Sequence, residues 1–482
     1  MIKQLTPRNF NLRPNRRPNV IWIFGDQHRA QALSYRGDLN VYTPNIDNLA
    51  RNGMRFDNAV AGAPWCTPFR GALLSGTYPH QNGAIRTPSP LLSEIPTIAI
   101  PFNKVGYHTA YFGKWHLDGS NSRQHFIPPE RRGGFQYWMG YENNNNQQEC
   151  YVHGSEGDDP VRLAGYETDA LTDLLIQHLQ DHLKFSTDAV EQSAQNGYSD
   201  GLDQLDYQPF FTVLSVQPPH GPYVSPTNPD HGCRRIHPAE IQFRPNVPEV
   251  SWIRERAAVD LAGYYSMIEN LDYNLGRLRQ ALKQMSIDRE TYLVFFSDHG
   301  DMIGSHAQWG KSSPWEESIR IPFIVGKVGG AENMRIGRCD AVINHVDIAP
   351  TSLGLCGIPT PDHMVGHSYA AHCIRSDTSE YNGPPDTTSE PKSAYLQQIP
   401  RKMHYHTVNR SWRGVVTRDG WKYACTPKND WLLFDTQEDP YEQANFVYDR
   451  YYQNQKEYCQ DLLQQWITET GDQFELPDIG LP

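Results

Sequence analysis

The stretch Val20-Ile21-Trp22-Ile23-Phe24-Gly25, followed at once by Asp26-Gln27-His28-Arg29, decides how this chain folds. β-Branched and aromatic residues run together, a glycine ends them, and polar or charged residues follow. The run is too short for a membrane span, which needs roughly 18 apolar residues, and too short for the core of a secretory leader. It reads as a strand buried on both faces, as in a parallel sheet covered by helices. Three more runs repeat the form. Thr109–Gly113 (TAYFG) leads into Lys114-Trp115-His116, Phe210–Val216 (FFTVLSV) leads to His220, and Tyr292–Ser297 (YLVFFS) leads into Asp298-His299-Gly300-Asp301. Helical patterns lie between them. The best runs from Ala257 to Met285, where apolar residues at 261, 264, 265, 268, 271, 275, 278, 282 and 285 form a stripe at the 3.6-residue period. Alternating strands and helices predict an α/β fold, with a large mixed, mostly parallel sheet flanked by helices. Ligands bind such sheets beyond the carboxyl ends of the strands. The Asp, Lys and His residues at these strand ends are therefore predicted to converge on one crevice.

The 482 residues carry a formal charge of −12, with 38% hydrophobic and 20% charged residues. That balance fits a globular protein and argues against a general nucleic-acid or membrane-surface binder, while leaving room for a local basic pocket. The basic, polar start MIKQLTPRNFNLRPNRRPN has no apolar segment behind it. As the sequence stands, the expectation is a cytoplasmic protein; a leader already removed would make it periplasmic or secreted. The cysteines at 66, 150, 233, 339, 356, 373, 425 and 459 form no C-x-x-C pair. Neither a structural zinc site nor a disulfide scaffold is expected, and most should be buried thiols. After Cys373, RSDTSEYNGPPDTTSEPK lacks apolar periodicity and reads as a linker or long loop. Beyond it, GVVT-RDG-WKYACT (414–426) predicts a hairpin and WLLFDT (431–436) a further strand. Residues 449–468 predict an amphipathic helix with Tyr451, Tyr458, Leu462 and Trp466 on one face. The chain thus divides into a catalytic α/β domain, 1–375, and a C-terminal α+β subdomain, 376–482, with a small antiparallel sheet and one helix. Nothing in the pattern sets an oligomeric state.

The chemistry centres on CTPFRGALLSG, which begins at Cys66. Pro68 suits the first turn of a helix. Cys66 then sits at a helix N-terminus, where unpaired N–H groups and the dipole favour negative charge. A cysteine so placed is a nucleophile candidate, although a lone one is more often a buried structural thiol. Its surroundings decide between these. Cys66 to Arg70 has the form C-x-P-x-R, and nearly the whole chain resembles the formylglycine-dependent sulfatases, a branch of the alkaline phosphatase superfamily. Four blocks carry the resemblance in order: YTPNIDNLARNGMRFDNAVAGAPWCTPFRGALLSGTYPHQNG, GYHTAYFGKWHL, FFSDHGDMIGSHAQWGKSSPWEESIRIPFIV and LLFDTQEDPYEQANF.

The resemblance implies an alkaline phosphatase-like sandwich. It implies that a formylglycine-generating enzyme oxidises Cys66 to formylglycine. The hydrate of that aldehyde is a geminal diol: one hydroxyl attacks sulfur, and the other helps expel sulfate and regenerates the aldehyde, a release route that serine lacks. The implied metal ligands are Asp26, Gln27, residue 66, Asp298 and His299. Gln27 stands where the family often has a second Asp, and offers a carbonyl oxygen with less charge. Oxygen-rich coordination favours Ca²⁺, while the imidazole and the missing carboxylate bring Mn²⁺ or another divalent metal into range. Arg70, four residues after Cys66 and on the same helix face, matches the family arginine that stabilises the nucleophile. Lys114 and His116 match the pair contacting nucleophile and sulfate. His220 and Lys311 match the pair beside the leaving oxygen, with His220 as general acid and Lys311 assisting, or the reverse. The expected substrate is a sulfated carbohydrate or oligosaccharide. Trp65, Trp138, Trp309, His404, His406 and Arg413 are weaker candidates for its entrance, since tryptophan is more often core. A phosphonate monoester or phosphodiester hydrolase of the same superfamily stays open because of the Asp26-Gln27 and Asp298-His299 pairs, and an aryl or choline sulfatase stays open as well. A binding protein on this scaffold is disfavoured, because no core residue of the motif set is missing.

Overall fold

The computed structural model describes residues 17–477 apart from 123–124, 156, 158, 196–206, 227–232, 331–332, 376–384, 386 and 400–406. The strands Asn19–Gly25, Phe210–Val216 and Thr291–Ser297 are buried at every position. Because strand side chains alternate, Val20, Trp22 and Phe24 join Phe69, Trp115 and Leu353 on one face of the sheet. Ile21 and Ile23 join Leu171, Leu175, Leu271, Leu275 and Leu278 on the other. Helices therefore cover both faces, as the unbroken apolar runs predict. The eight-stranded sheet has the spatial order Gly337–Cys339, Met54–Phe56, Phe323–Lys327, Thr291–Ser297, Asn19–Gly25, Phe210–Val216, His108–Lys114, Tyr137–Tyr141. Phe323–Lys327 is antiparallel to both its neighbours, and every other pairing is parallel. Register places the chemistry. Gly25 pairs with Val216 and with Ser297, and Gly113 pairs with Ser215. Asp26, Lys114, Gln217 and Asp298 thus leave the sheet along one edge. Gly113 is needed there: its φ is +92°, and a Cβ would lie 2.0 Å from the Ser215 carbonyl oxygen.

A second sheet is antiparallel throughout, in the order Ser393–Gln398, Trp412–Thr417, Trp421–Thr426, Asn429–Asp435. The helix Gln453–Thr470 covers it, with Cys459, Leu462, Leu463 and Ile467 meeting Val415, Tyr423 and Leu433. The buried stripe is therefore not the one expected from the sequence. Tyr451 is 83% exposed and lies in a separate turn, Arg450–Tyr452, while Tyr458 is 41% exposed one position off the stripe that starts at Cys459. The long helix spans Ser251–Gln284 and begins ahead of the apolar stripe at Ala257, because its first turns carry Trp252, Arg254 and Arg256 outside the main core. All eight cysteines are free thiols, six of them buried. Among the described residues no helix is long and apolar enough to cross a membrane. The predicted linker after Cys373 lies largely outside the described residues.

Candidate active site

The helix Cys66–Ser75 is buried at every position, and Trp65 enters it in an extended conformation with no side-chain cap. Its first-turn N–H groups are therefore left for whatever occupies the space at residue 66. Cys66 Sγ lies 3.0 Å from Lys311 Nζ, 3.4 Å from Asp26 Oδ1 and 3.4 Å from His299 Nε2. Burial alone would push this thiol up, but Lys114, Lys311 and His299 outweigh it and hold it well below the usual thiol range. A buried structural cysteine would behave in the opposite way, as Cys373 does, pushed above its ordinary value by burial.

Arg70 stands behind Cys66. Its guanidinium lies 3.3 Å from Asp26 Oδ2 and 3.2 Å from Asp298 Oδ2, and donates to the Lys114 carbonyl and Ser215 Oγ, each at 2.7 Å. Lys114 Nζ adds a 2.6 Å ion pair to Asp26 Oδ2. Burial and Cys66 would raise the Asp26 carboxyl, but Lys114, His220 and Lys311 hold it below the usual carboxylate range. Asp298 is pushed up to about 6 by burial and by Asp26 beside it. His299 Nδ1 is 2.9 Å from the Gly300 carbonyl, so Nδ1 carries the proton as donor and the Nε2 lone pair faces outward. That lone pair points at Asp26 Oδ1 (3.7 Å), Asp298 Oδ1 (3.6 Å) and Cys66 Sγ (3.4 Å). One ligand atom from each of Asp26, Cys66, Asp298 and His299 lies within 4.8 Å of all the others. Two carboxylates, a sulfur and an imidazole nitrogen converge there, a donor set that fits a divalent metal. Gln27 is beside this group, with its backbone in the left-handed region at φ +76°. Its Oε1 accepts from Lys311 Nζ at 2.8 Å, and its Nε2 donates to Asp301.

His116 also adopts a left-handed conformation, at φ +61°, which a non-glycine residue holds only where the surroundings enforce it. Burial and Lys114 push its imidazole down to about 4, making it a neutral hydrogen-bonding group rather than a fixed charge. Neither of its ring nitrogens has a well-formed hydrogen bond to another protein group. His220 Nδ1 lies 2.6 Å from the Gly221 carbonyl, and burial together with Lys311 lowers its imidazole below the usual range. The structure thus brings Asp26, Gln27, Cys66, Arg70, Lys114, His116, His220, Asp298, His299 and Lys311 to one crevice at the sheet edge. Sequence reasoning missed three supports. Asp301 accepts from the Gly310 N–H at 2.8 Å as well as from Gln27, and its place in Asp298-His299-Gly300-Asp301 was a signal. Tyr264 donates to the Gln27 carbonyl at 2.8 Å and Ser215 receives Arg70, and neither carried one.

The weaker candidates separate. Trp138 is core, stacked on Tyr111 with ring centroids 5.1 Å apart. Arg413 is buried against Asp472 at 2.5 Å and lines no entrance. Trp65 is buried ahead of the helix Cys66–Ser75. Trp309 lies two residues before Lys311 and stacks on Trp252. His404 and His406 fall outside the described residues. A cavity of about 1180 Å³ elsewhere, lined by Arg36, Arg244, Arg320, Glu390 and Arg418 among others, contains none of the crevice residues.

Residues 18–358 match the family described as Sulfatase, and residues 304–469 match the one described as N-sulphoglucosamine sulphohydrolase, C-terminal. The ulvan-active sulfatase of Formosa agariphila is 31% identical over 467 residues, covering 96% of this chain and 84% of that protein. The endo-4-O-sulfatase of Bacteroides thetaiotaomicron is 28% identical over 482 aligned positions, covering 90% of this chain and 88% of its own. A solved structure from the glycosaminoglycan metabolism of Bacteroides thetaiotaomicron superposes with a TM-score of 0.74 at 26% identity, over 95% of this chain and 97% of that one.

Proposed function

The chain belongs to the sulfatase family, and from that premise we propose that it removes sulfate from a sulfated carbohydrate through a formylglycine formed at Cys66. It is a sulfuric ester hydrolase. The observation that carries the mechanism is the setting of Cys66, with Lys311 at 3.0 Å on one side and Asp26 and His299 at 3.4 Å on the other. The relatives named for ulvan and for endo-4-O-sulfate support a carbohydrate substrate.

The hydrated aldehyde would supply one hydroxyl to attack sulfur and a second through which sulfate is expelled. A Ca²⁺ or Mn²⁺ ion held by Asp26, Gln27, Asp298 and His299 would supply positive charge beside that hydroxyl and lower the cost of ionising it. The remaining work belongs to the chain. Arg70 fixes both carboxylates and offsets the repulsion they would exert on an anionic ester. Lys114 and His116 line the place of the sulfate oxygens, one as a charge and one as a hydrogen-bond partner. His220 holds one proton on Nδ1 against the Gly221 carbonyl, so its transferable proton is on Nε2. Burial and Lys311 lower this imidazole, so the bound anionic ester would have to raise it again for Nε2 to carry the proton passed to the leaving alcohol. Lys311 supports the same oxygen. Maturation requires a formylglycine-generating enzyme as partner.

Mass spectrometry of the peptide containing residue 66, combined with turnover of sulfated oligosaccharides and of aryl phosphonate esters, tests the proposal. The expected result is an aldehyde or its hydrate at residue 66 and faster sulfate-ester cleavage. Full activity with a free thiol at 66 would refute the mechanism, and faster phosphonate cleavage the substrate class.

A further inference from the structure

The helix Ser251–Gln284 has 34 residues, a length of about 51 Å at 1.5 Å per residue. The strand that follows it, Thr291–Ser297, has seven, a span of about 23 Å. The helix ends at the amino edge of the sheet, where that strand begins, so its first turns stand well beyond the carboxyl edge, as a wall beside the crevice. Tyr264, bonded to the Gln27 carbonyl, marks the level of the site. Trp252 lies twelve residues earlier, about 18 Å further out along the axis.

Trp252 is 60% exposed. A single exposed apolar residue is ordinary, but this one is backed by a fixed partner. Its ring stacks on Trp309, with centroids 6.2 Å apart and planes 18° from parallel. Trp309 is only 6% exposed and is locked by its Nε1–H, which donates to Asp260 at 2.9 Å. The Arg256 guanidinium lies 4.2 Å from the Trp309 ring centroid and 3.6 Å from Asp260, with its side chain 45% exposed. Trp309 itself is two residues from Lys311, so the pair is tied to the segment that carries a crevice lysine. A flat aromatic face takes the C–H face of a sugar ring, and a half-exposed guanidinium beside it takes a sulfate or carboxylate. In a chain of net charge −12, a cation at this rim suits an anionic sugar chain.

We propose that Trp252, stacked on Trp309 and flanked by Arg256, is a binding platform for a sugar of a sulfated oligosaccharide remote from the ester being cleaved. This rests on the carbohydrate reading above. The test compares Trp252→Ala and Trp252→Phe with the parent enzyme on sulfated ulvan oligosaccharides and on 4-nitrophenyl sulfate. In Trp252→Ala, KM for the oligosaccharide should rise about five- to tenfold relative to KM for the aryl ester, with kcat unmoved. Trp252→Phe should recover most of that loss. An equal change on both substrates, no change on an oligosaccharide the parent cleaves, or an altered oligomeric state in light scattering would each overturn the platform. A parent enzyme that turns over the aryl ester but no sulfated oligosaccharide would refute the carbohydrate reading, and the platform with it.

Discussion

Replacing Arg70 by Met removes the guanidinium that holds both Asp26 and Asp298. Its guanidinium lies 3.3 Å from Asp26 and 3.2 Å from Asp298, and at an effective dielectric of about 20 each attraction is about 5 kcal/mol. The cost of burying three charges cancels much of that, but the cost is not returned when only one partner is lost. Asp26 keeps Lys114 at 2.6 Å. Asp298 keeps the Gln27 and His299 backbone N–H groups, each at 2.9 Å, and the His299 imidazole at 3.6 Å, but among the described residues no second Lys or Arg within 4 Å, so the unbalanced charge falls there. Breaking a buried pair costs about 3–5 kcal/mol, and the retained lysine puts the expected loss at the lower end, about 3 kcal/mol. A divalent cation would neutralise the same two carboxylates through their Oδ1 atoms, so it should restore more stability in the variant than in the parent. For scale, a ligand at 100 times its Kd adds about 2.7 kcal/mol. Urea unfolding followed by tryptophan fluorescence, in chelator and then with Ca²⁺ or Mn²⁺, reads both quantities. A variant as stable as the parent in chelator, or equal metal increments in the two proteins, would refute the reasoning. Arg70→Lys should recover only part of the loss, because an ammonium cannot reach two carboxylates as the fork does.

Other residues give sharper chemical outcomes. His220→Ala should lose more activity on aryl sulfates with poor leaving groups than on those with good ones; an equal loss would argue against acid catalysis by His220. Lys311→Met should lower kcat about 10²–10³-fold, the usual cost of one preorganised group at a developing charge, and a loss below tenfold would remove it from the chemistry. Lys422→Met leaves the buried Glu316 and Glu442 without their shared lysine and should destabilise the fold by about 3–5 kcal/mol in urea unfolding. Glu167, pushed up to about 7 by burial, binds its proton more tightly folded than unfolded, so its contribution is present at low pH and lost as pH rises from about 4.5 to 7. Glu167→Gln should therefore gain on the parent by at most about 3 kcal/mol between pH 4.5 and 8; a gap in stability that does not move with pH would show that Glu167 does not titrate in this range.

The strand ends were legible in the sequence because a strand buried on both faces concentrates apolar residues, and its end is marked by the first charge. Asp26, Lys114 and Asp298 announce themselves that way. Support residues do not. Ser215 sits within a buried strand and looks like core until Arg70 arrives from another segment. Arg413 and Trp138 resembled entrance residues by type, yet their roles are set by Asp472 and Tyr111, partners that no local pattern names. The edge strand Ser393–Gln398 has little alternation because its glutamines are buried by tertiary contacts: the Gln397 N–H donates to the Gly62 carbonyl at 2.6 Å, and its side chain meets His80 at 3.1 Å. The extra turns ahead of Ala257 carry no apolar stripe, so Trp252, which stacks on the candidate Trp309, stayed hidden.

The small C-terminal sheet explains how a motif far from Cys66 in the chain bears on the same site. Glu442, from Asp439-Pro440-Tyr441-Glu442, accepts the Glu316 N–H at 2.7 Å and pairs with Lys422. Glu316 is the first residue of the turn that follows Lys311 by five positions. The Trp412 indole donates to the Ser312 carbonyl at 3.0 Å, and the Ser312 N–H donates to the Pro64 carbonyl at 2.9 Å. Ser312 itself holds φ +71°, a left-handed conformation that needs such support. Two segments are gripped at once: the one leaving Lys311 and the one entering Cys66. The 3.0 Å spacing between Lys311 Nζ and Cys66 Sγ is thus held from behind by residues about a hundred positions further along the chain. Geometry at a reacting centre must hold to within about 0.5 Å, and loop segments alone do not give that. The acidic motif contributes by fixing where the lysine stands.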